Sequence, residues 1–214
     1  MTFWAVIDRP YSYNRAQILE AFEMNEWLHR VVGRRSVLKG SLPVCLGLFA
    51  PKFAFGQDDP RSSRPREGDM FVRITDTSLT PITAEELAIG ATQTIAWPFD
   101  PVEKILRSGS RLNQVLLLKL DPEKLSPETK TRSANGVVAY TAICTHSGCE
   151  VDQWLSGEEL LYCPCHDSKF DPKNEAKVVD GPAPRVLPAL ALSIADGKLI
   201  VAKPYTSRVG FESQ

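Results

Sequence analysis

Cys144-Thr145-His146-Ser147-Gly148-Cys149 and Cys163-Pro164-Cys165-His166-Asp167-Ser168 are the two stretches that decide how this chain is read. Thirteen residues separate them, and together they hold four of the five cysteines and two of the three histidines. Packing gives a soluble domain no reason to gather sulfur and imidazole in this way. The pair is therefore expected to bind metal, with two cysteines to spare for a disulfide. A Cys-x-His pair and a Cys-x-x-His pair supply two thiolates and two imidazoles: Cys144 with His146, and Cys163 with His166. Cys149 and Cys165 are left over. Zinc accepts two sulfurs and two nitrogens, and the four residues between Cys144 and Cys149 fall within its finger spacing of about two to four, but the histidine spacing of about three to five does not occur here.

The mixed pairing matches instead the arrangement in which two histidines replace two cysteines on one iron of a [2Fe-2S] cluster. With a third segment, Gly181-Pro182-Ala183-Pro184-Arg185, the chain closely resembles the high-potential Rieske iron-sulfur proteins, in particular the iron-sulfur subunit of cytochrome bc (quinol to cytochrome c reductase) complexes. That resemblance implies that Cys144 and Cys163 bind the inner iron and His146 and His166 the outer one. It also implies a Cys149 to Cys165 disulfide, and a proline loop of Gly181, Pro182, Ala183 and Pro184 shielding the cluster. Rieske oxygenases and their ferredoxins resemble the chain in its ligands but lack the two extra cysteines.

The ligand set fixes the sign of the chemistry through charge. Two ferric ions, two sulfides and two thiolates sum to zero, where a four-thiolate site carries two negative charges, so adding an electron costs less. Rieske centres as a class accordingly lie at about −150 to +300 mV, against about −400 mV for plant-type ferredoxins. Reduction also favours protonation of the outer imidazoles, which couples electron to proton uptake and suits oxidation of a hydroquinone.

Donors to the cluster sulfurs tune the potential within this range. Ser168 stands where quinol-oxidising members resemble it with a serine hydroxyl that donates to a bridging sulfide. Phe170 replaces the tyrosine that commonly donates to a ligand thiolate, and Asp167 replaces a usual glycine, adding a carboxylate that disfavours the reduced cluster. The potential is thus expected below that of the best-tuned respiratory members. Ser147 departs from the apolar side chain that the cytochrome bc family often carries at this loop tip.

The chain has 214 residues, 43% of them hydrophobic, and a net charge of −1. These values suit one modest domain with extensions, and no basic or acidic excess points to nucleic acid. Residues 1–56 are expected to be an N-terminal extension and export signal or anchor. Gly33-Arg34-Arg35-Ser36-Val37-Leu38-Lys39 resembles a twin-arginine signal, followed by an apolar stretch that Pro43, Pro51 and Lys52 make marginal as a membrane span. The pathway places the domain on the periplasmic side of a bacterial inner membrane, anchored or cleaved before Gln57. Residues 57–68 are polar and read as a linker, 69–206 as the main domain and 207–214 as a tail.

Strands are expected over Met70–Thr75, Gln114–Leu120, Gly136–Cys144, Leu160–Cys163 and Leu190–Ala202, the last folded at Asp196-Gly197. Trp97-Pro98-Phe99-Asp100 and Asp121-Pro122-Glu123-Lys124 read as loops. The fold class is mostly β: an antiparallel Rieske-type sandwich with a small inserted cluster-binding subdomain at about 143–184. Three roles follow. The resemblance implies first that the chain is expected to be the iron-sulfur subunit of a quinol to cytochrome c reductase, working with cytochrome b and c type partners. Alternatively, it is the small subunit of a periplasmic molybdenum oxidase resembling arsenite oxidase, or a free periplasmic electron carrier.

Overall fold

A computed structural model describes residues 59–211. The expected export signal, the anchor or cleavage site, the first part of the linker and residues 212–214 of the tail lie outside the described residues. Eleven strands form two antiparallel sheets among the described residues. The larger sheet takes β1 (Met70–Arg73), β2 (Thr94–Asp100), β3 (Ile105–Leu106), β4 (Val115–Lys119), β5 (Val137–Thr141), β10 (Ala189–Ala195) and β11 (Lys198–Lys203). Its order is β1-β11-β10-β5-β4-β2-β3, and β1 also pairs with β2, Phe71 opposite Pro98 and Val72 opposite Trp97. That extra pairing closes six strands into a barrel-like ring, which removes exposed sheet edges.

The second sheet, β6 (Gln153–Leu155), β7 (Leu160–Cys163), β8 (Ser168–Asp171) and β9 (Lys177–Asp180), is a true insertion. It leaves after β5 and returns to β10, and those two strands are hydrogen-bonded neighbours, with Tyr140 opposite Ala189. The insertion positions the two motifs without disturbing the ring.

Strands β4 and β5 show how the halves are joined. Side chains alternate between the two faces of a strand. Val115, Leu117, Val137 and Ala139 join Phe71, Ala96, Leu190, Leu199 and Val201, one or more from each ring strand, in a core enclosed by the ring. Leu116, Leu118, Val138 and Tyr140 face the other way, into a second core shared with Leu161, Phe170, Cys144 and Cys163 of the insertion. Both faces are buried, so these strands read in the sequence as continuous apolar runs. The Tyr140 hydroxyl crosses the junction to donate to the Pro172 carbonyl at 2.8 Å, and burial holds its pKa far above the ordinary phenol value.

Two expectations change. Trp97-Pro98-Phe99-Asp100 lies within β2 and is not a loop. Proline is tolerated there because β2 pairs with β4 only through Thr94–Ala96 and with β3 only through Phe99–Asp100, so Pro98 falls in the gap where the neighbour changes. The described part of the linker is also docked on the barrel. Arg107, fully buried, donates to both Asp69 oxygens (2.6 and 2.9 Å), to Asp100 (3.1 Å) and to the Ser63 hydroxyl (2.5 Å). Asn113 adds a bond to the Ser63 carbonyl at 2.8 Å. Among the described residues helix is confined to short pieces such as α1 (Pro127–Arg132), capped by Ser126 and opened by proline at its first position. No described helix is long and apolar enough to cross a membrane.

Candidate metal centre

The first motif follows β5 as a loop closed on itself. The Cys144 N–H donates to the Cys149 carbonyl at 2.8 Å and the Gly148 N–H to the Cys144 carbonyl at 3.1 Å. Cys144 is thereby fixed inside the fold, 1% exposed, while Ser147 at the tip is exposed. The second motif is the turn between β7 and β8, where Cys163 pairs across the hairpin with Ser168. Cys163 points into the core, 1% exposed, while Cys165, His166 and Asp167 stand at the surface. Asp167 takes a left-handed conformation, φ 58°, which the turn requires immediately after His166 and which aspartate tolerates better than most residues.

The structure brings the two motifs together. A disulfide joins Cys149 to Cys165, with Cα atoms 6.5 Å apart. Cys144 and Cys163 are both free, buried thiols, and Cys144 contributes to raising the Cys163 pKa. The His146 and His166 rings meet edge to face, with centroids 4.6 Å apart. Both thiols thus lie inside, while His166 stands at the surface. Among the described residues no group of three or more His, Cys, Asp or Glu side chains is placed to hold a metal ion; the candidate donors come as two free thiols and two facing imidazoles.

Charge and hydrogen bonding agree with such a group. Burial and the neighbouring Cys144 push the Cys163 thiol up to about 11, although the backbone N–H groups of Cys165 and His166 pull the other way. A bound cationic centre reverses this balance, because a metal deprotonates a coordinating thiol outright. Two buried polar atoms, His146 Nδ1 and Ser168 Oγ, also lack a hydrogen-bond partner. Buried polar groups are costly when unpaired, so both fit a ligand between the loops.

The third segment lies against the two motifs. Gly181 of the proline loop packs on the second motif, and a Cβ there would lie 2.5 Å from Ser168 Cα and 2.7 Å from the Asp167 carbonyl oxygen. With its φ of 84°, only glycine meets both demands. Ala183 is buried, while Pro182 and Pro184 are exposed. Phe170 is fully buried in the core below and carries no hydroxyl.

Sequence reading missed several contacts because they join residues far apart in the chain or project from opposite faces of a strand. The Thr145 hydroxyl donates to the Arg185 carbonyl at 2.7 Å, stitching the first motif to the proline loop. The Tyr162 hydroxyl donates to the Asp167 carboxylate, which raises the phenol pKa. Lys169 is paired with Glu158 at 3.0 Å, and Arg185 donates to the Gly210 carbonyl.

Comparison with known proteins agrees with this geometry. Residues 124–191 match the model of the Rieske [2Fe-2S] domain. A Rieske subunit of Haloferax mediterranei, named for a respiratory nitrate reductase, is 38% identical over 106 residues, covering 49% of this chain and 47% of that one. The cytochrome bc1 complex Rieske iron-sulfur subunit of Streptomyces lividans is 29% identical over 119 residues, 54% of this chain and 69% of the relative. Its counterpart in Corynebacterium glutamicum is 32% identical over 162 residues, 70% of this chain and 38% of the relative. The chain thus spans less than half the length of the first and the third. Paired thiols, paired imidazoles and the matched segment lead to one conclusion: residues 124–191 of this chain form a Rieske [2Fe-2S] domain.

Proposed function

We propose that the chain is the electron-transferring iron-sulfur subunit of a quinol to cytochrome c reductase, with Cys144 and Cys163 holding the inner iron and His146 and His166 the outer one. The observation that carries the ligand assignment is the pairing itself: two buried free thiols, one from each motif, and two imidazole rings 4.6 Å apart, again one from each motif. A Rieske cluster supplies one-electron exchange at a potential that mild donors can reach. The protein's share is to keep the thiols dry, to present both imidazoles to a partner, and to lock the two loops through Cys149 and Cys165. Ser168 offers an unpartnered buried hydroxyl at the site, and the Gly181–Pro184 segment limits water on the outer face. The cytochrome bc1 relatives favour quinol as donor and a cytochrome as acceptor. A twin-arginine signal in 33–39 favours the periplasmic side of the membrane.

A second reading is a Rieske subunit relaying electrons for a larger reductase or oxidase. The 38% identity to the subunit named for a nitrate reductase favours it, as do the polar tip residue Ser147 and the hydroxyl-free Phe170. Purification from native membranes and periplasm separates the two. Cytochrome b and c partners support the first reading and a large molybdenum subunit the second. Iron and acid-labile sulfide tested on the purified chain, with each ligand changed to serine or alanine, check the assignment; a full cluster in any of the four variants removes that residue from the set.

A further inference from the structure

The chain does not stop being useful to the site when its last strand ends. After β11 it runs back along the start of β10: the Thr206 N–H donates to the Ala189 carbonyl at 2.9 Å, and the Thr206 hydroxyl accepts from the Ala189 N–H at 3.0 Å. Val209 is buried, 6% exposed, and Gly210 turns with φ 89°. The Gly210 carbonyl then accepts from Arg185 Nη2 at 2.5 Å, and Arg185 is the residue whose own carbonyl receives the Thr145 hydroxyl of the first motif. Phe211 lies against Gly148: a Cβ at that glycine would stand 3.1 Å from the ring edge. The Gly148 carbonyl meanwhile accepts from Arg111 of the barrel.

Three successive residues thus reach both the proline loop and the tip of the first cluster loop. We propose that Val209 to Phe211 form a positioning strap, which holds the Gly148 tip and the Arg185 end of the proline loop against the barrel and so fixes the two walls of the cluster site. The inference rests on the ligand reading above. Its physical basis is that the first loop is tied to the second by the Cys149–Cys165 disulfide and to the barrel by Arg111 and Phe211. The contact is apolar at the buried Val209 and the half-exposed Phe211 and polar at Gly210, and its targets are Gly148, one of the two residues between His146 and Cys149, and Arg185 of the proline loop. Gly148 has a positive φ of 77° and no Cβ, which leaves room for the ring.

The test compares the full chain with a variant ended before Arg208 and with Phe211→Ala and Phe211→Leu. Three quantities are measured: the rate of cluster bleaching under an iron chelator, the electron paramagnetic resonance spectrum of the reduced protein, and the rate at which a dithiol reduces the disulfide. Truncation and Phe211→Ala should speed bleaching and disulfide reduction about tenfold and shift the resonance lines, with Phe211→Leu restoring most of the change because it keeps the apolar contact. Rates within twofold of the full chain and an unmoved spectrum overturn the strap. Should the full chain bind no cluster, the ligand reading fails instead, and the disulfide rate alone still decides the strap.

Discussion

Arg107→Met tests the polar lock that closes the barrel on the segment before it. The guanidinium is fully buried and makes two bonds to Asp69, one to Asp100 and one to Ser63. Asp69 is itself only 2% exposed. Methionine preserves much of the volume but leaves the Asp69 carboxylate buried without its cation, and breaking one side of a buried pair in this way costs about 3–5 kcal/mol. The low end applies here, because the Arg66 N–H still donates to Asp69 at 2.8 Å and Asp100 is partly solvated. About 3 kcal/mol in a domain of this size lowers Tm by roughly 6–12 °C. Thermal and urea melts followed by circular dichroism measure it. Hydrogen exchange should show faster exchange over 60–68, where Ser63 loses its Arg107 bond but keeps the Asn113 one. The double variant Arg107→Met with Asp69→Leu removes both charges and should recover a large part of the loss. A single variant losing under about 1 kcal/mol, or a double variant no better than the single, refutes the reasoning.

Two further outcomes follow from the same geometry. Phe170→Tyr adds a hydroxyl to a fully buried position beneath the ligand strands and should raise the reduction potential by up to about 60 mV, the equivalent of roughly 1.4 kcal/mol for one electron; a redox titration showing no rise means that residue 170 is not where tuning occurs. Asp76 accepts from the Ser78 hydroxyl, the Ser78 N–H and the Thr80 N–H, which hold its carboxyl down at about 2 against an ordinary 3.8. A carboxyl with a lowered folded pKa binds fewer protons folded than unfolded between those values, so its contribution is present above pH 3.8 and is lost as pH falls toward about 2. Asp100, lowered chiefly by the Glu103 N–H, adds to the same slope. Tm measured from pH 2 to 6 should therefore differ between the protein and Asp76→Asn above pH 4 and converge at the acid end; parallel curves exclude Asp76 as a contributor.

Much of the site was legible because its chemistry is local. A thiolate and an imidazole one or two residues apart can reach one centre, so the two motifs announce their donors wherever the fold puts them. Strands β4, β5, β7, β10 and β11 were legible for a related reason: β-branched and leucine-rich runs between turn residues bury themselves without help from distant partners. Strand β2 was not, since Trp-Pro-Phe-Asp carries a proline that only the change of neighbour at Pro98 makes acceptable. Nor did the polar stretch 60–66 announce that it docks on the barrel, because Arg107 lies more than forty residues away from its partners there.

By itself the sequence determined the candidate donors in each motif, the antiparallel β class and the hairpin at Asp196-Gly197. Only the tertiary structure decided that β1 closes the sheet into a ring and that Cys144 and Cys163 are buried while His166 stands at the surface. It alone brought Thr145, Arg185, Gly210 and Phe211 to one another. The division has a physical cause. Side-chain chemistry and strand propensity act over a few residues, whereas ring closure, burial and long-range stitching depend on which surfaces meet when the chain has already collapsed.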